Sequence, residues 1–424
     1  MRRVMITGIG LLTAVGEGTR STWDALLDGA TGIGEIASYD ASSLRTRLAA
    51  ELVDFDVRRY AGRRVVRMLT ANDELAMAGA VLALRDAGIA DGERLGPHAG
   101  LFLGGNKQMS RPEDVLDNAK TLRRDDGSVD YHRLGREASS LLPPLFYVQG
   151  LQFAAMFHIS AAYGILGPNA YFAGTAESGA GAVGRAFRAI RRSEADLALA
   201  GGFDDPASWW SMSEMDGLGV LTPRNEEGAR AFRPYDRGRS GSVLGNGSAF
   251  LVLEEREAAL ARGATCYAEL RGAGWANDGS VLTPDPTGAG LGRAIRRALD
   301  DGRLGPDGVQ YVATHGCGTV LGDRSEARAL RRGLGPAADG ILASTVKPQT
   351  GHLVAGAGAL NVAVAALALA HGVVPATQHL DDPDPDCDLD WVPGTARQAD
   401  LTGALALARG IAGQQVAVSL ARAS

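Results

Sequence analysis

At 424 residues the chain is long enough to bury a large core and to hold more than one domain. Its composition, 45% hydrophobic and 22% charged, is that of an ordinary globular protein, and a formal net charge of −6 argues against a nucleic-acid or anionic-membrane partner. Cys266, Cys317 and Cys387 lie far apart and are odd in number, which argues against a disulfide framework or a zinc site and fits a reducing, cytoplasmic setting.

In chain order, aliphatic runs of strand length predict strands at Val4 to Gly8, Gly100 to Gly104, Leu197 to Gly201, Ala249 to Leu253 and Val309 to Ala313. The first opens the sequence as a strand entering a turn, without the apolar stretch and cleavage site of a secretory signal. Between the strands lie helical patterns. In Ser178 to Arg192 the apolar residues Ala180, Val183, Phe187 and Ile190 recur at spacings of three and four. Four arginines between Arg185 and Arg192 fall on the other side and read as a solvated face. The same helix contains Gly179, Gly181 and Gly184 in the order GxGxxG, which we read as close packing through small residues rather than a dinucleotide fingerprint. Leu353 to Ala370 is apolar except for Asn361, but its Ala, Gly and Val composition predicts a buried core helix and not a membrane span. Strand–helix alternation without a Pro/Ser linker predicts an α/β protein of tightly packed domains, with mainly parallel sheets covered by helices.

Three segments concentrate reactive side chains at glycine-flanked turns. They are Gly174-Thr-Ala-Glu177-Ser-Gly179, Thr314-His315-Gly-Cys-Gly-Thr319 with Asp323 and Glu326, and Ser344-Thr-Val-Lys347-Pro-Gln-Thr-Gly-His352. Singly, each histidine could be structural and the acid could merely favour a helix N-terminus. Together, two histidines, a lysine and an acid predict polar groups converging at strand ends.

Those segments occur in order with three others. The chain opens Val4-Met-Ile-Thr-Gly-Ile-Gly10, its centre reads Arg233-Pro-Tyr-Asp-Arg237 followed by Gly241-Ser-Val-Leu-Gly-Asn-Gly247, and Leu380-Asp-Asp-Pro-Asp384 comes near the end. Over essentially its whole length the sequence resembles the elongating β-ketoacyl-acyl-carrier-protein synthases. The resemblance implies a thiolase-like α/β fold in α-β-α-β-α layers, with two similar halves, residues 1–255 and 256–424, and a dimer. In that family a cysteine at a helix N-terminus attacks an acyl thioester, and two histidines and a lysine assist decarboxylation of malonyl-carrier protein. Carried over, the histidines are His315 and His352 and the lysine is Lys347, while Glu177 stands at the cysteine position. The oxyanion-hole amides would be those of Glu177 and Ile411.

A carboxylate is a poor nucleophile toward a thioester. Cys317 lies off the helix terminus that would activate a thiol, and Ser178 has no GxSxG elbow around it. Further departures agree with lost condensation. The family's paired gating phenylalanines are replaced by Arg409 and Ile411, and glutamates expected in two signatures are Asn246 and Asn361. The Ala-Arg-Gly form at 408–410 is similar to that of type II polyketide chain-length factors. The resemblance therefore implies a subunit that pairs with a catalytic ketosynthase and meets an acyl carrier protein. No cofactor or metal is expected, and no nucleic acid or membrane. Phe153, Met156 and Phe157 would lie at the interface or acyl tunnel. The alternative is an enzyme that decarboxylates malonyl-carrier protein, or performs other acyl transfer, with His315 and His352.

Overall fold

The computed structural model describes residues 2–106, 112–280 and 283–423. In chain order its principal elements are β1 (Val4–Thr13), α1 (Ala71–Asp86), β2 (Ala99–Gly105), α2 (Ala154–Tyr163), β3 (Asn169–Ala173), α3 (Ala176–Arg191), β4 (Leu197–Asp204) and β5 (Gly247–Glu255). There follow β6 (Ala268–Asn277), α4 (Ala289–Gly302), β7 (Tyr311–Ala313), α5 (Val320–Leu334), β8 (Leu342–Ser344), α6 (Ala357–His371), β9 (Gly403–Arg409) and β10 (Gln414–Arg422).

The strands follow the path β3-β2-β4-β5-β1-β6-β10-β9-β7-β8. On one side β3, β2 and β4 run parallel, and β5 is antiparallel to β4 and β1. On the other β8, β7 and β9 run parallel, and β10 is antiparallel to β9 and β6. The second series thus repeats the first, and the two meet where Val4–Ile6 pair with Ala268–Leu270. Helix α1 packs on β1, β5 and β4, and α4 packs on β6 and β10. Helices α3 and α6 touch each other and strands of both halves, α3 reaching β10 and β9 and α6 reaching β5 and β4. The result is a stack of helix, sheet, paired helices, sheet and helix, which is the thiolase-like layering.

Small residues let the middle helices approach. A Cβ on Gly179 would lie 2.6 Å from the Ala355 carbonyl oxygen, and one on Gly358 would overlap the Ala176 carbonyl. A Cβ on Gly184 would lie 2.7 Å from the Trp275 ring. The GxGxxG spacing therefore serves packing. Among the described residues one stretch, Val354–His371, is long and apolar enough to cross a membrane, and 89% of it is buried inside the protein.

The arginine run departs from the sequence expectation. Arg185 lies over Phe102 at 5.4 Å, Arg188 over Trp275 at 4.2 Å and Arg191 over Phe187 at 4.9 Å, leaving Arg192 exposed. The guanidinium groups gain ring contacts while their stems cover apolar surface, so this face is only partly solvated.

Candidate functional site

Helix α3 begins at the end of β3, with Thr175 as its N-cap and Glu177 in its first turn. Glu177 is only 9% exposed and its carboxylate turns back on the cap. The Thr175 amide donates to Oε1 at 3.2 Å and the Thr175 hydroxyl donates to Oε2 at 2.8 Å. Helix N-termini leave amides unpaired and favour a negative charge, so an acid here is well placed electrostatically. The carboxylate also rests against the α-carbons of Gly174 and Gly410, where any Cβ would collide with it.

His315 follows β7, on a turn in which Gly316 and Gly318 adopt φ of 46° and 72°. Glu326 of α5 holds this turn through the His315 amide at 2.7 Å, the Gly316 amide at 2.8 Å and the Tyr235 hydroxyl at 2.9 Å. Asp323, one turn earlier on the same helix, accepts from the Gly318 amide at 3.1 Å and pairs with buried Arg239 at 3.3 Å. Lys347, fully buried beyond β8, donates its Nζ to the His315 carbonyl. Burial pushes this ammonium down to about 8, against the opposing pull of Glu326.

The His315 and His352 rings meet edge to face with centroids 5.3 Å apart. Burial and the Lys347 charge hold both well below the ordinary histidine value, so both are neutral at pH 7. The His352 Nδ1 accepts from the Val354 amide at 3.0 Å, which puts the neutral ring's proton on Nε2. The His315 Nδ1 is buried and has no hydrogen-bond partner among the described residues.

Both histidines line a cavity of about 150 Å³ with Thr175, Cys317, Arg409 and Ile411, and Met215, Leu221 and Leu244 form part of its apolar wall. The sequence-predicted residues His315, His352, Lys347 and Glu177 are thus gathered around the N-terminus of α3, but the Glu177 carboxylate faces its own cap. The Ile411 amide, predicted as an oxyanion donor, instead donates to the Thr175 hydroxyl at 3.1 Å. A threonine whose hydroxyl reaches both Glu177 and Ile411 occupies that donor, so in this arrangement it does not face the cavity unbonded. Glu177 lies in the first turn of the helix.

Arg409, read from the sequence as standing where a gating phenylalanine is expected, is held in place as a cation. It donates to the Gly322 carbonyl at 2.9 Å and the Ser325 hydroxyl at 3.0 Å, with Asp278 at 3.7 Å. Cys317 lies beside Thr319 and Asp323, and burial pushes its thiol up to about 11, which disfavours the thiolate a nucleophile needs. Asn361 bridges the Thr314 and Leu407 carbonyls at 2.9 and 2.8 Å, tying α6 to both strand ends. Phe153 and Phe157 do not line the cavity. They are 52% and 61% exposed on and beside α2, with Met156 half-buried between them.

Sequence reasoning did not single out Thr175, although a threonine directly before a helical run is an N-cap signal. It noted Asp204 only as an acid about twenty residues past the GxGxxG glycines, whereas Asp204 is buried, its carboxyl pushed up by burial to about 7, and accepts from the Ala355 amide at 3.3 Å. Nothing in its surroundings in the sequence announces that role.

Residues 1–259 match the family profile for the β-ketoacyl synthase N-terminal domain, and residues 267–381 match that for its C-terminal domain. The chain is 32% identical to 3-oxoacyl-[acyl-carrier-protein] synthase 2 of Synechocystis sp., covering 99% of this chain and 97% of that protein. It is 37% identical to the oxytetracycline polyketide β-ketoacyl synthase 1 assigned in Streptomyces rimosus, with the same coverage. Among solved structures, the ishigamide ketosynthase/chain length factor superposes with a TM-score of 0.87 at 27% identity, over 100% of both chains. A type II polyketide acyl-carrier protein complexed with its ketosynthase gives 0.86 at 25% identity, again over 100% of both. These matches, with a site built around paired histidines, show that the chain belongs to the β-ketoacyl synthase family.

Proposed function

We propose that this chain is a ketosynthase-like subunit without a nucleophilic cysteine, which pairs with a catalytic ketosynthase as a chain-length factor in type II polyketide or fatty-acid-like synthesis. Residues 1–255 and 256–424 are its two halves. The observation that carries this reading is Glu177: at the helix N-terminus where a nucleophile would sit, its carboxylate is bound to Thr175 and turned from the cavity. The two other candidates fail for physical reasons. The Cys317 thiol is held in its protonated form, and the Ser178 hydroxyl donates to the Thr175 carbonyl at 2.7 Å within its own helix turn.

Pairing is supported by the outer surface. Strand β3 ends the sheet path, and Leu166 just before it and Phe153 and Phe157 on and beside α2 are 67%, 52% and 61% exposed. An unpaired edge strand flanked by exposed apolar side chains is what a second subunit would cover. A growing chain held on the partner's carrier protein would then meet this subunit's side chains without being attached to it.

A second reading has one observation in its favour: His315 and His352 line one cavity, with Lys347 bonded to the His315 carbonyl behind it. Two neutral histidines could stabilise the enolate formed when malonyl-carrier protein loses carbon dioxide. The Glu177 carboxylate, lying behind the Thr175 and Gly410 wall of this cavity, opposes a second anion there.

Co-expression with a catalytic type II ketosynthase subunit tests the first reading. The expected result is co-purification as a one-to-one pair and a product whose length changes when the cavity-lining residues of this chain are altered. A tight homodimer that ignores that ketosynthase would refute it.

A further inference from the structure

The arginine row on α3 is not used by the site, and its placement calls for another role. Helix α3 contacts the edge strand β3, and Arg185, Arg188 and Arg192 follow one another at spacings of three and four, along one flank. Arg185 is paired with Glu194 at 2.7 Å and Arg191 with Asp301 at 2.7 Å. Arg188 and Arg192 have no carboxylate within ion-pair distance among the described residues. Arg188, Trp275 and Arg297 line an open cleft on this flank, where Arg188 donates to the Ala273 carbonyl at 3.2 Å and Arg297 to the Trp275 carbonyl at 2.5 Å. These acceptors are neutral, and the one carboxylate that lines the cleft, Asp301, is already paired with Arg191, so the two arginines leave the cleft net positive. Burial and the neighbouring Arg192, Arg191 and Arg185 already make the Arg188 guanidinium easier to deprotonate, with Asp301 opposing.

A two-fold axis at an edge strand fixes what faces what. When an edge strand pairs antiparallel with a related strand across an axis perpendicular to the sheet, the sheet continues and its helix layers continue with it. The helix beside β3 then meets the matching helix of the other subunit. In a pair of identical chains the arginine row would oppose its own copy, and like charges across an interface are penalised.

We infer that the α3 row of Arg188 and Arg192, with Arg297 in the adjoining cleft, selects the partner: it disfavours a second copy of this chain and accepts a ketosynthase subunit that presents carboxylates from its matching helix. The inference rests on the pairing proposed above and adds the chemistry that makes the pair unlike. Arginine suits this task because its planar fork binds carboxylates in two places and it remains charged when partly covered.

The test uses the full chain with Arg192→Glu, and separately with Arg188→Glu and Arg192→Glu together. Arg192 is exposed, so the single variant leaves the Trp275 contact intact if the double variant misfolds. Light scattering and titration against the catalytic ketosynthase that pairs with wild type should show at least tenfold weaker pairing for either variant. Wild type mixed with variant should form a dimer that neither forms alone, because one row now carries carboxylates. Pairing with the ketosynthase unchanged within twofold, or no dimer in the mixture, overturns the inference. Should wild type ignore the ketosynthase altogether, the pairing proposal fails, while the wild-type and variant mixture still decides whether the row selects by charge.

Discussion

Replacing Glu177 should cost stability in proportion to the hydrogen bonds removed. The carboxylate accepts two bonds from Thr175, at 3.2 Å from the amide and 2.8 Å from the hydroxyl, and it is 9% exposed. A hydrogen bond to a charged group contributes about 1.5–3 kcal/mol, and a negative charge in the first helical turn about 0.3–1 kcal/mol. Glu177→Ala removes both bonds and the charge and leaves a small void beside Gly174 and Gly410. Water can re-enter from the neighbouring cavity, so the expected loss is roughly 3 kcal/mol rather than the full sum. Glu177→Gln keeps an acceptor for the Thr175 amide and the side-chain volume, and should lose roughly 1 kcal/mol. Urea unfolding of wild type and both variants, in one oligomeric state and at one concentration, measures these differences. An alanine variant within about 0.5 kcal/mol of wild type, or a glutamine variant no better than alanine, would refute the view that Glu177 is tied to its cap.

The same glutamine variant removes a carboxylate from behind the Thr175 and Gly410 wall of the cavity, so its malonyl-carrier-protein decarboxylation should exceed wild type, measured as carbon dioxide release. If wild type is brisk and the variant inactive, Glu177 is itself catalytic. Lys347, pushed down to about 8, sheds its proton in the native chain while the unfolded chain keeps it to about 10.5. The unfolded state then binds more protons, so stability should gain a rising component between those pH values that Lys347→Met lacks. Asp204 has the opposite sign. Pushed up from 3.8 to about 7, it holds a proton that the unfolded chain has lost, so its contribution falls as pH rises through that window. Asp204→Asn should remove that fall in a comparison of unfolding curves at pH 4 to 7. Incubation with acyl-carrier protein should leave Cys317 and residues 174–179 unmodified in peptide mapping, and a stoichiometric adduct at either place would revive a nucleophile.

The layered α/β fold was legible because its signals are redundant. The aliphatic runs at Val4, Gly100, Leu197 and Ala249 each fell within a strand, and the apolar stretch from Leu353 became the buried helix α6. Strand β9 was harder to see, since Gly403-Ala-Leu-Ala-Leu-Ala-Arg409 is rich in residues that favour helices and is a strand only because β10 and β7 flank it. The convergence of His315, His352 and Lys347 was readable from glycine-bounded turns, but the direction of the Glu177 side chain was not. That direction depends on Thr175 and on the absence of side chains at Gly174 and Gly410, a contact between segments more than two hundred residues apart. The arginine run misled for a similar reason, because Phe102 and Trp275 come to it from distant strands.

The glycines between α3 and α6 have a consequence for how such a chain can change. Gly179 abuts the Ala355 carbonyl, Gly358 abuts that of Ala176, and Gly104 at the end of β2 abuts the backbone at Ser178. The first turn of α3 is thus held by main chain against main chain, and no side chain at position 177 takes part in those contacts. A residue there can be exchanged for one of different chemistry while the turn, the neighbouring histidines and the sheet stay in place. The scaffold separates where a group is presented from which group it is, so the chemistry at this turn can change without the turn itself moving.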